Sequence, residues 1–306
     1  MKIAMVVNGG LHPGGEEQVV PSWLALFEQL GKSHSIHAFA LRHLPEAQSY
    51  GLKNFMVHDL GRPSGTWGFQ RAAQEKALAQ ALDAHGPFDL VHGFFADPAG
   101  YLAARAGRRL GIPSVVTCDS GEFVSLPSIR YGSQRSWIGR RVVRQACSLA
   151  TRVHVCTEFM AALAQRHGVQ TTVIPLTSVT PAAAAVKWMP TRRHRDSFRL
   201  IQVASISRVK HQRLAVEALR LVREHADARL DLVGEDTLNG AIQHHAASLG
   251  LSEHVTFHGF QPQARVHELL SAADLYVQSS LHEAAGVSVL EAAAHGVPTV
   301  GTLAGY

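Results

Sequence analysis

The sequence predicts an α/β protein built from two doubly wound, mostly parallel sheets. Short apolar runs of strand length alternate with stretches of helical length along almost the whole chain, the pattern of a parallel sheet covered by helices on both faces. The rhythm breaks once, at residues 181–197 (PAAAAVKWMPTRRHRDS), where two prolines bracket an alanine run and a basic polar cluster follows. The length of 306 residues also favours two domains over one. The expected organisation is a first domain over 1–180, a linker over 181–197 and a second domain over 198–306.

In the first domain, residues 2–8 (KIAMVVN) read as a buried strand. A glycine-rich turn follows, then a helix over about 16–30 that Gly31 closes. The next strand spans 34–41, and further apolar runs recur at 53–59, 88–92, 112–117, 151–156 and 171–174. Helical stretches separate several of them, at 70–85, 98–110 and 158–167. In the second domain the alternation is regular. Strands are expected at 198–204, 229–233, 254–257, 274–278 and 298–302, with helices at 211–225, 239–249, 263–271 and 288–295 between them. No short tandem repeat accounts for the pattern.

Composition narrows the function classes. Hydrophobic residues make up 46% and charged residues 17%, enough apolar side chain for two cores and too little charge for disorder or a coiled coil. The formal net charge of +5 suits an anionic substrate or a lipid surface, and equally a basic solvated face. It is too diffuse to indicate nucleic acid. Cys118, Cys147 and Cys156 form no CxxC pair and have no zinc-finger spacing, so they read as free buried thiols of a reducing compartment. The N-terminal apolar run is too short for a signal peptide, and no run of 18 apolar residues is found. A cytoplasmic protein is expected, compatible with peripheral contact at the inner membrane surface. Most of the 19 histidines read as ordinary surface residues scattered on helices and loops, and the adjacent His244 and His245 point apart on a helix rather than toward a metal.

The most informative stretch is Ser279–Pro298, SSLHEAAGVSVLEAAAHGVP. It places Glu283 in a loop and Glu291 about one turn into a helix that begins near Ser288, with Gly286 between them. Gly296 can end that helix and Pro298 prevents its resumption. Unbonded N–H groups at a helix start attract anions, phosphate above all. A carboxylate on each side of a phosphate seat suits a ligand with hydroxyls at both ends of a diphosphate, as in a sugar nucleotide.

Glu283, then AAGVSVL, then Glu291, then AAAHGVP resembles the signature of the retaining glycosyltransferases of family 4. Their pattern is two glutamates separated by seven residues ahead of an alanine-rich helix and a GVP turn. The resemblance covers nearly the whole chain, most closely 198–305. It implies the GT-B fold, two doubly wound Rossmann-like domains facing each other across a cleft. Members usually continue through further βα elements and a final helix that returns to the first domain, so a chain ending at Tyr306 reads as C-terminally truncated, with apolar surface left uncovered.

The resemblance also assigns roles. Gly14, Gly15 and Glu17 match a GGxE pattern that lies over the donor diphosphate or the acceptor; read as a plain turn, Glu16 and Glu17 would instead favour the positive end of the following helix. Lys210, in VASISRVKHQ, takes the place of a lysine that grips the diphosphate. Ser205 stands where the family has an arginine, a departure, and Arg208 is a candidate to replace the lost charge. A lysine near a helix start opposes the helix dipole unless an anion lies between. Gly234, His258 and Gly259 would line the nucleobase rim. Glu291 would hold the ribose, Glu283 the transferred sugar, and the backbone around Gly286, Val287, Ser288 and Val289 the diphosphate. Asp119 lies near the place of a histidine that contacts the sugar. The acidic residue departs from the pattern and puts that role in doubt; Asp119 or Glu122 could orient an acceptor hydroxyl or cap a turn. His92, closing DLVH, is a further candidate beside a structural reading.

Other chemistries fit less well. The first loop does not follow G-x-G-x-x-G and no acidic residue ends the second strand, against a nicotinamide enzyme. No G-x-S-x-G elbow supports a serine hydrolase. No Asp-x-Asp pair is present, so no metal is implied, and no cofactor beyond the nucleotide sugar. The expected activity is transfer of a hexosyl unit from a nucleotide sugar to a glycan, lipid-linked or small-molecule acceptor, with retention of configuration. A nucleotide-sugar epimerase and a non-catalytic sugar-nucleotide-binding remnant are the alternatives.

Overall fold

The computed structural model describes residues 1–63, 67–175 and 197–305. The chain divides into two compact units, Met1–Pro175 and Leu176–Tyr306. Apart from Ser197, the expected linker lies outside the described residues.

In the first unit the strands are β1 (Lys2–Val7), β2 (Ser35–Ala40), β3 (Gln48–Leu52), β4 (Phe55–Asp59), β5 (Leu90–Phe94), β6 (Ser114–Thr117), β7 (Arg152–Val155) and β8 (Thr172–Val173). Its helices are α1 (Pro21–Leu30), α2 (Trp67–His85), α3 (Tyr101–Leu110), α4 (Trp137–Leu149) and α5 (Glu158–Arg166). The sheet order is β3-β4-β2-β1-β5-β6-β7-β8. Ile3, Met5 and Val7 of β1 pack with Trp23 and Phe27 of α1. Ala4 and Val6 pack on the opposite face with Leu78 and Leu82 of α2 and Leu102 of α3. Burial on both faces is why β1 reads as a continuous apolar run instead of an alternating one.

Three features depart from the sequence expectation. Strand β3 was not expected. It runs antiparallel to β4 through a hairpin in which Lys53 takes a left-handed φ of 54°, and its polar outer residues hide the strand pattern. Helix α1 starts at Pro21 and not near residue 16. A bridge between Leu11 and Val19, a bond from Val20 N to Gly10 O of 2.9 Å and a left-handed Gln18 (φ 51°) close residues 11–19 into a loop first. Proline then opens the helix at the position where its missing N–H costs nothing. Helix α3 begins at Tyr101, after a wide turn over Ala96–Gly100 in which Asp97 is extended.

Three of the histidines come together in the first unit. His37 Nδ1 lies 2.9 Å from His58 Nε2, Ser49 Oγ 2.8 Å from His58 Nδ1, and His85 stacks on His58. Burial, then His85, hold His58 down at about 4, so its ring packs neutral. Among the described residues no group of three or more histidine, cysteine or acidic side chains could hold a metal ion, and no helix is long and apolar enough to cross a membrane.

In the second unit all five strands are parallel: β9 (Phe198–Val203), β10 (Ala228–Val233), β11 (Val255–Gly259), β12 (Leu275–Gln278) and β13 (Thr299–Gly301), in the order β11-β10-β9-β12-β13. Helices α6 (Gln212–Val222), α7 (Ala241–Ser248), α8 (Gln263–Ala272) and α9 (Val287–Ala294) alternate with them. Leu200, Leu230 and Leu232 pack under α6 and α7 on one face, and Ile201, Val233 and Tyr276 under α8 and α9 on the other. In both sheets the order reverses beside the first strand of the unit, at β1/β5 and at β9/β12. Doubly wound sheets bind ligands at that reversal, beyond the strands' C-terminal ends.

Gly234 follows β10 with φ of 145°, and a Cβ there would lie 2.2 Å from the Ala204 carbonyl oxygen. Its N–H bonds Gly259 O at 2.8 Å. The residue therefore lets three strand ends close up. Gly234→Ala is expected to destabilise the protein by roughly 1–3 kcal/mol, the scale of an enforced backbone strain, as a lower urea midpoint with unchanged m-value. An unchanged midpoint would mean that the strand ends are not packed as described.

Candidate active site

The site in the second unit grows from the β9/β12 reversal. β9 ends in Val203, and the loop 204–211 runs back to α6. β12 ends in Gln278, and the loop 279–286 runs to α9. Leu281 N bonds Val209 O at 2.8 Å, which fastens the two loops side by side. Beneath them, Ser279 Oγ donates to the Lys210 carbonyl at 2.8 Å, and buried Gln202 reaches the same carbonyl at 3.3 Å and Ser279 Oγ at 3.1 Å. The backbone of Lys210 is thus held from the sheet before its side chain is considered.

That side chain ends 2.6 Å from Glu283 Oε1, and Ser280 Oγ donates to the same oxygen at 2.6 Å. Glu283 is 7% exposed, but it lies in a polar mount and not in the apolar core. Among the described residues Oε2 has no partner. Thr302 Oγ1 bonds the Ser280 carbonyl, fixing the loop from the β13 side. The anion that a lysine near the start of α6 requires is therefore supplied by Glu283.

Gly286 is the N-cap of α9 in a left-handed conformation (φ 57°). The amides of Val287 and Ser288 open the helix, with no carbonyl a turn behind them. The Val289 amide, expected to face a ligand, bonds Gly286 O at 2.9 Å and is taken. The Ser288 hydroxyl lies 2.7 Å from that of fully buried Tyr276, so the residue contributes backbone to the site and not side chain. Glu291, also 7% exposed, accepts from Gln263 Nε2 at 2.7 Å. Burial pushes its carboxyl up, and the Gln263 bond and His267 counter this. His267 Nδ1 in turn lies 2.9 Å from His295 Nε2.

Of the remaining second-unit candidates, Ser205 and Arg208 are exposed. The Ser205 carbonyl accepts from Gln212 Nε2 at 3.0 Å. His258 Nε2 bonds Asp231 Oδ1 at 2.7 Å, so its ring is tied back to β10, while Gly259 stands at the strand end with open space on its Cβ side. Gly234 lies at the same edge in the structural role given above.

Gly14, Gly15 and Glu17 belong to the first unit, in the loop after β1. Gly15 N bonds His12 O at 2.9 Å and Glu17 is exposed; none of these residues starts a helix, so the helix-dipole reading of Glu16 and Glu17 does not hold. Asp119 and Glu122 follow β6. Glu122 accepts from Ser120 N at 2.8 Å and Ala96 N at 3.3 Å, while Asp119 Oδ1 is buried without a partner among the described residues. Burial raises Asp119 to about 6 and, with help from Asp119, Glu122 to about 7. His92 is a structural link: its Nε2 lies 2.7 Å from Thr117 Oγ1, which lies 3.0 Å from His154 Nδ1, and burial pushes it down to about 3.

Residues 189–305 match the family described as glycosyl transferases group 1, and residues 14–177 match the glycosyl transferase 4-like domain. The chain belongs to the glycosyl transferase 4-like, group 1 family. EpsF of Bacillus subtilis, named as a glycosyltransferase, is 27% identical over 98% of this chain and 78% of its own length. EpsD of the same organism is 37% identical over 35% of this chain and 28% of its own. The 2-deoxystreptamine glucosyltransferase of Streptomyces kanamyceticus is 27% identical over 78% of this chain and 66% of its own. Among solved structures, sucrose-phosphate synthase from Thermosynechococcus elongatus superposes with a TM-score of 0.77 at 19% identity, over 100% of this chain and 82% of that one. HepE of Anabaena, solved with UDP-glucose, gives 0.71 at 20% identity, over 100% of this chain and 81% of that one. These likenesses show the GT-B fold.

Sequence reasoning missed Gln202, Ser279, Ser280, Gln263 and Tyr276. The first carries a legible signal, a glutamine inside the apolar strand RLIQV, which has to find a polar partner.

The raised Glu122 gives a pH test. A carboxyl with a higher value folded than unfolded contributes its full stability below about pH 4.5, and that stability is lost as pH rises through about 7. Glu122→Gln cannot ionise. Its stability relative to wild type should therefore increase from pH 5 to pH 8 by on the order of 2–3 kcal/mol, at about 1.4 kcal/mol per pKa unit. Urea melts at the two pH values check this, and a pH-independent difference would contradict it.

Proposed function

We propose that the protein transfers a hexosyl unit from a nucleoside-diphosphate sugar to an acceptor hydroxyl with retention of anomeric configuration. The observation that carries this reading is Lys210 against Glu283 at the sheet reversal of the second unit. The cation is pre-positioned for a pyrophosphate, and the carboxylate oxygen Oε2 is open to a sugar hydroxyl.

On this reading the second unit binds the donor. Glu291 holds the ribose, with Gln263 fixing its carboxylate. The amides of Val287 and Ser288 and the Lys210 ammonium, with Arg208 at the rim, neutralise the diphosphate as it leaves, an electrostatic stabilisation of the kind that dominates many enzymes. Gly259 and the His258 backbone border the base. Glu283 hydrogen-bonds the sugar and stabilises positive charge developing at the anomeric carbon. A phosphate oxygen of the leaving group accepts the proton of the incoming hydroxyl on the same face, so no covalent carboxylate nucleophile is required. The first unit supplies the acceptor side, where Asp119, raised by burial to about 6, orients the hydroxyl; the loop with Gly14, Gly15 and Glu17 borders it. Hexosyl transfer is in keeping with relatives named as a glucosyltransferase and an α-(1→4)-mannosyltransferase, and the nucleotide sugar with HepE, solved with UDP-glucose.

The pair makes a separable prediction. Before donor binds, Lys210 is engaged by Glu283, so a diphosphate competes with that carboxylate. Glu283→Gln should lower transfer by about 100-fold or more, the scale of losing one transition-state contact. Nucleoside-diphosphate affinity should stay within about threefold of wild type or tighten, because Lys210 is released. Nucleotide release from a panel of UDP-, GDP- and ADP-sugars with glycoside and sugar-phosphate acceptors, alongside calorimetric binding, reads both quantities. Donor breakdown or sugar interconversion without an acceptor would favour an epimerase. Saturable binding with no turnover in wild type would leave a binding remnant.

A further inference from the structure

Between Glu122 and Glu158 the chain carries no acidic residue and six arginines: Arg130, Arg135, Arg140, Arg141, Arg144 and Arg152. That local excess is larger than the +5 of the whole protein, so the charge that looks diffuse in composition is concentrated in one segment. Part of it faces an open pocket of about 480 Å³ in the first unit, large enough for a sugar-sized ligand. Ser120, Arg130, Tyr131, Ser133, Arg135 and Ser136 line it.

Several arginines of this unit are tied to neighbouring groups. Arg71 is bonded to Asp97, Arg105 to Glu75, Arg109 to Asp83 and Arg140 to the Gln134 carbonyl. The Arg130 and Arg135 side chains have no hydrogen bond or ion pair among the described residues. Asp97, the acid on the pocket's rim, is already engaged by Arg71 and does not answer them. The wall that carries them is firmly built. Ser133 N bonds Gly121 O at 2.8 Å, Leu126 N bonds Tyr131 O at 2.9 Å, and buried Gln134 donates to the Glu122 carbonyl at 2.6 Å. Arg130 sits in a left-handed conformation (φ 56°), an unfavourable one for a residue with a side chain. The pocket also takes in the first turn of α4, whose cap Ser136 accepts from Gly139 N at 3.0 Å.

We propose that this pocket seats a phosphate group carried by the acceptor substrate, with Arg130 and Arg135 as its two cationic contacts. The proposal rests on the transferase reading for the word acceptor, whereas the phosphate seat is a property of the pocket alone. Ser120 is adjacent in sequence to Asp119, so an acceptor anchored by its phosphate presents its hydroxyl side at the same strand end as that carboxyl. Exposed Trp137 and Ile138, at the start of α4, name the competing occupant, an anionic bilayer.

The test uses the full chain without donor, in three forms: wild type, Arg130→Gln with Arg135→Gln, and Lys210→Gln. Orthophosphate and glucose 6-phosphate are titrated by calorimetry and thermal shift, with glucose as the uncharged control. Vesicles of phosphatidylcholine with and without phosphatidylglycerol form a separate arm, read by co-sedimentation. Expected are protection of wild type and of Lys210→Gln by both phosphates and not by glucose, and a loss of affinity of about tenfold or more in the double variant. Equal phosphate affinity in wild type and double variant, no phosphate binding to wild type, or an arginine-dependent interaction confined to the anionic vesicles would each overturn the proposal. UDP, GDP and ADP binding is measured in the same forms. The double variant should keep it within about twofold, and its absence from wild type would count against the transferase reading and leave the phosphate result standing.

Discussion

Everything proposed for the second unit depends on one contact, the ammonium of Lys210 against the nearly buried carboxylate of Glu283. A charge taken out of water is tolerated only when its partners are in place. Here they are supplied by the fold: Ser280 completes the carboxylate, and Gln202 and Ser279 hold the backbone from which the lysine extends. The sheet reversal brings the two loops together, and the loops bring the two charges together. The ion pair is thus the consequence of topology, and the proposed donor chemistry is the consequence of the ion pair.

The two units treat charge in different ways. The second confronts opposite charges across a seam between neighbouring strands. The first buries two carboxyls, Asp119 and Glu122, near the end of β6 with no cation bonded to either among the described residues; burial moves both toward neutrality, and Asp119 adds to the shift of Glu122. The next segment of chain carries Arg130 and Arg135, whose side chains have no hydrogen bond or ion pair among the described residues. The arrangement separates a group suited to exchanging protons near neutral pH from groups suited to holding an anion, as a site that both anchors and orients a substrate requires.

Much of this was legible in the sequence. Elements buried on both faces, such as β1 and β9, announce themselves as apolar runs, and the Glu283–Glu291 stretch states both its helix and its cap. Reading failed where local chemistry lost to contacts from afar. Helix α1 starts late because Leu11 and Val19 bridge first, a pairing that no helical periodicity reveals. Strand β3 is hidden because its outer residues are polar. The Val289 amide was assigned to a ligand, yet the left-handed Gly286 turns its own carbonyl onto it. His37, His58 and His85 come from three separate elements, so their stacking has no counterpart in sequence spacing. The residues that mount the site, Gln202 and Ser279 among them, are 77 positions apart and meet only in the folded unit.

The most direct measurement compares a nucleoside with its diphosphate on wild type and Lys210→Met. A charge-assisted bond to phosphate is worth roughly 1.5–3 kcal/mol. The account therefore predicts that the substitution weakens the diphosphate by about 10- to 100-fold and leaves the nucleoside unchanged. An equal loss for both ligands, or none for the diphosphate, would contradict it.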